Sequence, residues 1–160
     1  MIDFHVHPVM IRELVASDPD LARAVRDVFQ LFFPSQPLEV LVAEMDEAGI
    51  ERAVLLPVDC TTAHGCRIVT NEQVADLAGK SSRFVGFASV DPSVKEAPRQ
   101  LERAVKGLGL KGLKLDPALQ RFGLDDRRLA WPVYQAASEL GIPVVVHCGL
   151  SWSMIGQAKY

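Results

Sequence analysis

Cysteine is scarce, with three in 160 residues: Cys60, Cys66 and Cys148. The number is odd and no C-x-x-C pair occurs, which argues against a disulfide scaffold and for reduced thiols in an intracellular, cytoplasmic protein. Long apolar runs are also missing. None nears the roughly 18 residues that a spanning helix needs. The opening Met1-Ile2-Asp3-Phe4-His5 has no basic stretch leading into an apolar one, so it does not read as a signal peptide. No cluster of Lys and Arg forms a stripe, and the formal net charge is -3. Neither nucleic acid nor an anionic membrane is therefore an expected partner. The first apolar run is followed by His-Pro rather than G-x-G-x-x-G, which disfavours a dinucleotide fold.

What is present is a soluble globular composition, 49% hydrophobic and 23% charged. Short apolar runs alternate with amphipathic helical patterns. The runs are Ile2–His7, Ala53–Val58, Phe84–Val90, Leu110–Leu115 and Val144–His147. Each is near-continuously apolar and ends in a polar residue, as a strand buried on both faces would. Helices are predicted over Pro37–Ala48, Asn71–Ala78, Val94–Leu108 and Arg127–Leu140, each with glycine at or near its end. Pro132 falls in the first turns of the last one, where its missing N–H matters least. Strand and helix alternate with no hairpin signal, so a parallel sheet covered by helices is expected.

One segment, residues 8–36, breaks the rhythm. Within it Ser17-Asp18-Pro19 marks a helix start, and Leu21, Val25, Val28, Phe29 and Phe32 follow at helical spacing. It reads as an insertion after the first strand, serving either as a lid or substrate wall or as a packing helix or dimer contact. A complete (β/α)8 barrel needs about 250 residues. The fold class is thus α/β, a partial (β/α)8 TIM barrel of about five βα units in a single domain over 1–160, incomplete at its C-terminus.

Residues i, i+2 and i+4 of a strand share a face. Strict alternation puts Asp3, His5 and His7 on the barrel-axis side and Ile2, Phe4 and Val6 under the helices. His147 ends the fifth run, with Val145 on its face. Barrel enzymes work at the C-terminal ends of their strands, so His5, His7 and His147 are candidate metal ligands. The bland alternative is polar or hydrogen-bonded core histidine. Asp59 and Asp91 close the second and third runs. In the fourth, Gly112, Lys114 and Asp116 share the inward face. A buried lysine is costly unless it is paired, modified or facing a ligand. Lys114 is therefore a candidate to hold a substrate carboxylate or to bridge metals as a carbamate, against a plain ion pair with Asp116 or Asp3. Among weaker candidates for the substrate mouth are His64 and Arg121, for both of which a surface position is the favoured reading. Trp131 and Trp152 are undecided. Cys148, on the opposite face from His147, is expected to pack under a helix.

Met1-Ile2-Asp3-Phe4-His5-Val6-His7-Pro8 resembles the start of the amidohydrolase superfamily. The stretches 109–117 (GLKGLKLDP) and 141–149 (GIPVVVHCG) are similar to its amidohydrolase-related branch, which includes aminocarboxymuconate-semialdehyde decarboxylase, resorcylate-type decarboxylases and lactone hydrolases. The resemblance implies a distorted barrel holding a divalent metal, usually zinc. It matches His5, His7 and His147 to the metal ligands, with His147 also assisting proton transfer as a catalytic residue beside Lys114. Lys114, Asp116, Arg121 and His64 remain the substrate-binding candidates. The family's histidine at the sixth strand and aspartate at the eighth have no counterpart, and residues 156–160 look like the lead-in to a further helix. Three functions follow as expectations. The first is a metal-dependent hydrolase, in which activated water attacks an ester, lactone or amide carbon. The second is a decarboxylase of an aromatic or muconate-type acid. The third is an inert, truncated metal-binding fragment. The expected partner is a small carboxylic acid or its lactone or amide, and open sheet edges predict self-association.

Overall fold

The computed structural model describes residues 1–149 and 155–156. The parallel strands are β1 (Ile2–Val6), β2 (Arg52–Leu55), β5 (Phe84–Gly86), β6 (Leu113–Leu115) and β7 (Val144–Val146), with a short pair β3 (Val58–Cys60) and β4 (Cys66–Ile68) between β2 and β5. The order β1-β2-β5 continues through a single bridge, Ala88 to Leu113, into β6-β7, and every pairing along this path is parallel. Helices α3 (Leu38–Glu47), α5 (Asn71–Lys80), α6 (Ala97–Lys106) and α8 (Ala130–Glu139) form the connections, together with the one-turn α7 (Pro117–Gln120). This is the expected α/β arrangement, a partial (β/α)8 barrel.

The strands are apolar on both faces because each face meets a different partner. Ala53, Leu55, Phe84, Leu113 and Leu115 join Val74, Leu77, Leu101, Ala104 and Val133 of the helices in one large core. Val54, Leu56 and Phe87 form a second, smaller cluster with Val85 and Val145 on the barrel-axis side. Gly112 lies beneath the Phe87 ring: a Cβ there would stand 2.3 Å from Phe87 Cε2. No side chain larger than hydrogen fits while that ring keeps its place.

Three expectations need correction. First, there is a hairpin. β3 and β4 pair antiparallel across the one-turn α4 (Thr61–His64) and Gly65, whose φ of +65° closes the turn. The glycine and the V-D-C and C-R-I alternation around it were the available signal. Second, the insertion is two helices rather than one. Asp18 does cap α2 (Pro19–Arg23), accepting from the backbone N–H of Asp20 and Leu21, but α1 (Arg12–Ser17) precedes it. Third, α2 runs into a π turn over Ala24–Val28 with Phe29 N–H donating to Ala24 O, so the helical register ends there. Phe29 stays buried, while Phe32 leaves the apolar face and is 80% exposed. The insertion is tied to the body by Gln73 Nε2 donating to Asp18 Oδ2 at 2.9 Å, and Leu21, Ala24 and Val25 enter the large core.

Among the described residues no helix is long and apolar enough to cross a membrane.

Candidate metal centre

The register of β1 decides where its histidines go. Asp3 pairs with Ala53 and Val6 pairs with Leu55, so three steps on β1 match two on β2. This is a bulge. Ala53 and Leu55 belong to the helix-covered core. An unbroken pleat continued from Asp3 would therefore send His5 and His7 under the helices. The bulge re-aims the end of the strand. Phe4, expected under the helices, instead meets Phe87 edge-on at 5.7 Å in the small barrel-axis cluster, while Val6 packs against the large core. Asp3 is parted from the histidine face and accepts from the His5 N–H.

Beyond the bulge, His5 Nε2 and His7 Nε2 stand 3.0 Å apart. His7 Nδ1 lies 2.7 Å from the Leu56 carbonyl oxygen. A carbonyl only accepts, so Nδ1 carries the hydrogen and Nε2 of a neutral His7 presents its lone pair toward His5. Burial above all, with Lys114, His5 and His147 adding to it, pushes His7 down to about 4 against the opposing Leu56 hydrogen bond. His5 is lowered too, by burial first and then by Lys114 and His147, with Asp3 and Asp116 opposing. Both shifts favour the neutral imidazole, the form that can ligate a metal.

Lys114 projects to the same side. It is fully buried, and its Nζ has no hydrogen-bond partner. Burial lowers its pKa, while Asp116 and Cys148 support the charged form. The alternative, an ion pair with Asp116 or Asp3, does not form. Asp116 is buried and shapes its own loop: Oδ1 accepts from Leu119 N–H as the cap of α7, and its N–H donates to Gln120 Oε1. His147 follows β7 with its N–H donating to Leu115 O at 3.0 Å, and lies close enough to lower both other histidines.

The remaining candidates fall elsewhere. Asp59 accepts from Thr61 and Asp91 from Thr62 and Ser93, so both carboxylates are committed to turns. Arg121 is exposed at the C-terminus of α7 with a left-handed φ of 58°. His64 departs from its favoured surface reading. It is half-buried against α7 with Nε2 unpartnered, and its pKa is lowered by burial first and then by Arg121. The two form a separate group from the histidine pair. Trp131 is exposed under the Arg127 guanidinium. Cys148 is exposed rather than packed under a helix. Trp152 and residues 157–160 lie outside the described residues.

Nothing in the sequence pattern marks Gln120. Its buried amide donates to the carbonyls of Asp59 and Val90 and accepts from Asp116 N–H, joining three strand ends. Asn71 likewise clamps the Ser89 backbone with both amide atoms. Single polar residues in helical patterns carry no mark of such distant partners.

Do these residues suit a metal? Two nitrogens each about 2.0–2.1 Å from one tetrahedral ion stand roughly 3.3 Å apart. The histidine pair is near that spacing, and the His7–carbonyl hydrogen bond is the usual second contact of a ligating imidazole. Among the described residues no three His, Cys, Asp or Glu side chains converge enough to hold an ion by themselves. The pair therefore fits two adjacent positions of a divalent cation, with His147 beside it.

The partial barrel carries these imidazoles at the C-terminal ends of its strands, where barrel enzymes place their chemistry. Residues 2–159 match the family model Amidohydro_2, described as amidohydrolase, and the chain belongs to that family. Among solved structures it is similar to a TIM-barrel protein of uncharacterised activity from Bordetella bronchiseptica, at 25% identity and a TM-score of 0.71 over 100% of this chain and 58% of that one. It is also similar to 4-oxalomesaconate hydratase from Rhodopseudomonas palustris, at 24% identity and 0.63 over 92% and 52%. A third is 5-carboxyvanillate decarboxylase from Novosphingobium aromaticivorans, with manganese and a nitrobenzoic acid ligand bound, at 22% identity and 0.60 over 94% and 50%. The chain spans about half the length of these structures.

Proposed function

We propose that this chain carries the metal-binding half of a hydrolase site, in which His5, His7 and His147 hold one divalent metal and Lys114 receives the carboxylate of a small organic acid derivative. The observation that carries the reading is the 3.0 Å approach of two Nε2 atoms, one of them with its tautomer fixed by Leu56. An all-imidazole donor set favours zinc among the hard and borderline cations. When bound, the ion supplies Lewis-acid polarisation of an ester, lactone or amide carbonyl and activation of water near neutral pH.

The chain's own groups do the rest. His7 stays neutral well below pH 7 and keeps its lone pair available. Lys114, unpartnered in a dry setting, gains an anion at little cost, because its water is already gone. Asp116 favours its charged form. A neutral His147 has one ring lone pair, so it serves either as the third ligand or, with the metal held by His5 and His7, as the group that takes a proton from water and returns it to the leaving group.

A buried cation suited to a carboxylate also supports a second reading, a metal-dependent decarboxylase of an aromatic or muconate-type acid. Carbon dioxide release against carboxylate formation over a panel of such acids, lactones and amides separates the two. Bound metal without turnover on any of them would leave an inert metal-binding chain.

The ligand assignment is tested by elemental analysis. His5→Ala and His7→Ala are expected to lose most of the metal that the wild type holds. Equal metal in all three proteins would overturn the site.

A further inference from the structure

Cys60 ends β3 and Cys66 begins β4, and the two face each other directly in the antiparallel register. Facing residues of such a pair have Cα atoms about 4.5–5.5 Å apart, inside the 4.4–6.8 Å range that a disulfide spans. Both side chains enter the same core cluster. Cys60 Sγ donates to the Cys66 carbonyl at 3.2 Å, so it already lies over its partner. The spacing C-x5-C hides this pair in the sequence, because only the hairpin brings the two together.

The two thiols differ in access and character. Cys60 is wholly buried, whereas Cys66 is 6% exposed and lines a cleft of about 160 Å³ beside Asp18, Leu21, Arg67 and Gln73. Hydrogen bonding from Cys60 holds the Cys66 thiol below its ordinary value, with Arg23 assisting against burial, while the same contact and burial push Cys60 up. One sulfur is therefore reachable and inclined to ionise, and the other sits behind it, protonated.

We propose that Cys60 and Cys66 are a peroxide-oxidisable dithiol that closes to a disulfide across the β3–β4 hairpin. The Cys66 thiolate attacks one oxygen of hydrogen peroxide, breaking the O–O bond; it becomes a sulfenic acid and hydroxide leaves. Cys60 sulfur then attacks the Cys66 sulfur, the S–O bond breaks, and the departing hydroxide takes the Cys60 proton as water. Peroxide is reduced and two thiols are oxidised. The bond ties the two ends of the turn that carries His64, and a thiol reductant reverses it.

The test uses Cys148→Ser, which removes the exposed thiol and leaves the hairpin untouched. After hydrogen peroxide treatment this protein is expected to lose the mass of two hydrogens and both alkylatable thiols. Residues 53–67, bounded by Arg52 and Arg67, form one tryptic peptide holding both cysteines, and it should carry the whole change until dithiothreitol restores it. Adding Cys60→Ser should leave Cys66 gaining oxygen atoms with no loss of hydrogen. Two thiols still alkylatable after peroxide, or sulfinic acid at both cysteines without the two-hydrogen loss, would overturn the proposal.

Discussion

His7 and Lys114 are both desolvated, and the direction of that cost can be measured. The folded His7 pKa, about 4, lies below its ordinary 6.5. Between those values the unfolded chain binds the proton and the folded one does not, so stability is full above pH 6.5, falls as pH drops toward 4, and levels off below. At about 1.4 kcal/mol per unit, the bound on this loss is roughly 3 kcal/mol. The metal-free protein should thus melt progressively lower from pH 7 to pH 4, and His7→Gln should flatten that slope. Identical slopes would show that the ring is not desolvated. Lys114→Met keeps length and removes the charge. It should leave stability unchanged or higher by about 1 kcal/mol, since an unpaired buried ammonium opposes folding. In the proposed reaction it should raise KM for a carboxylate substrate roughly tenfold or more. A large stability loss with unchanged KM would make Lys114 a structural residue. Lys114 was legible because an alternating strand with leucine on one face leaves a lysine nowhere but inward. The histidine pair was legible from its spacing, although the strict alternation used to place it does not hold along β1.

At the scale of elements, helices and parallel strands followed from periodicity and glycine stops, since those patterns are local. The π turn at Ala24–Val28 and the bulge in β1 were not legible, because each is a change of phase that only the neighbouring element reveals. The same holds for Gln120, whose partners lie on three different strand ends. Gln120→Ala would leave the Asp116 N–H and two backbone carbonyls without their partner. Each unsatisfied buried group costs about 1–3 kcal/mol, so a loss of at least about 2 kcal/mol in chemical denaturation is expected. A change under about 0.5 kcal/mol would mean that water replaces the amide.

For the molecule as a whole, the two ends of the sheet matter most. Among the described residues, β1 and β7 each have one hydrogen-bonded neighbour. The side chains there are apolar: Ile2 is 56% exposed, Phe4 51% and Val144 37%. Open edges of this kind pair with other chains. The 160-residue protein is expected to elute as an oligomer or to precipitate at micromolar concentration, and Phe4→Lys should shift it toward monomer. A sharp monomer peak with cooperative melting in the unmodified protein would refute this.

The three-against-two count in β1 also means that chemistry here hangs on chain length. Substitutions such as Val6→Ile leave the count intact and should be absorbed. An extra residue between Asp3 and Val6 could instead rotate everything after it by half a turn, trading imidazole for valine at the mouth. A site with such an origin drifts easily in its side chains, but it cannot gain or lose a residue by small steps.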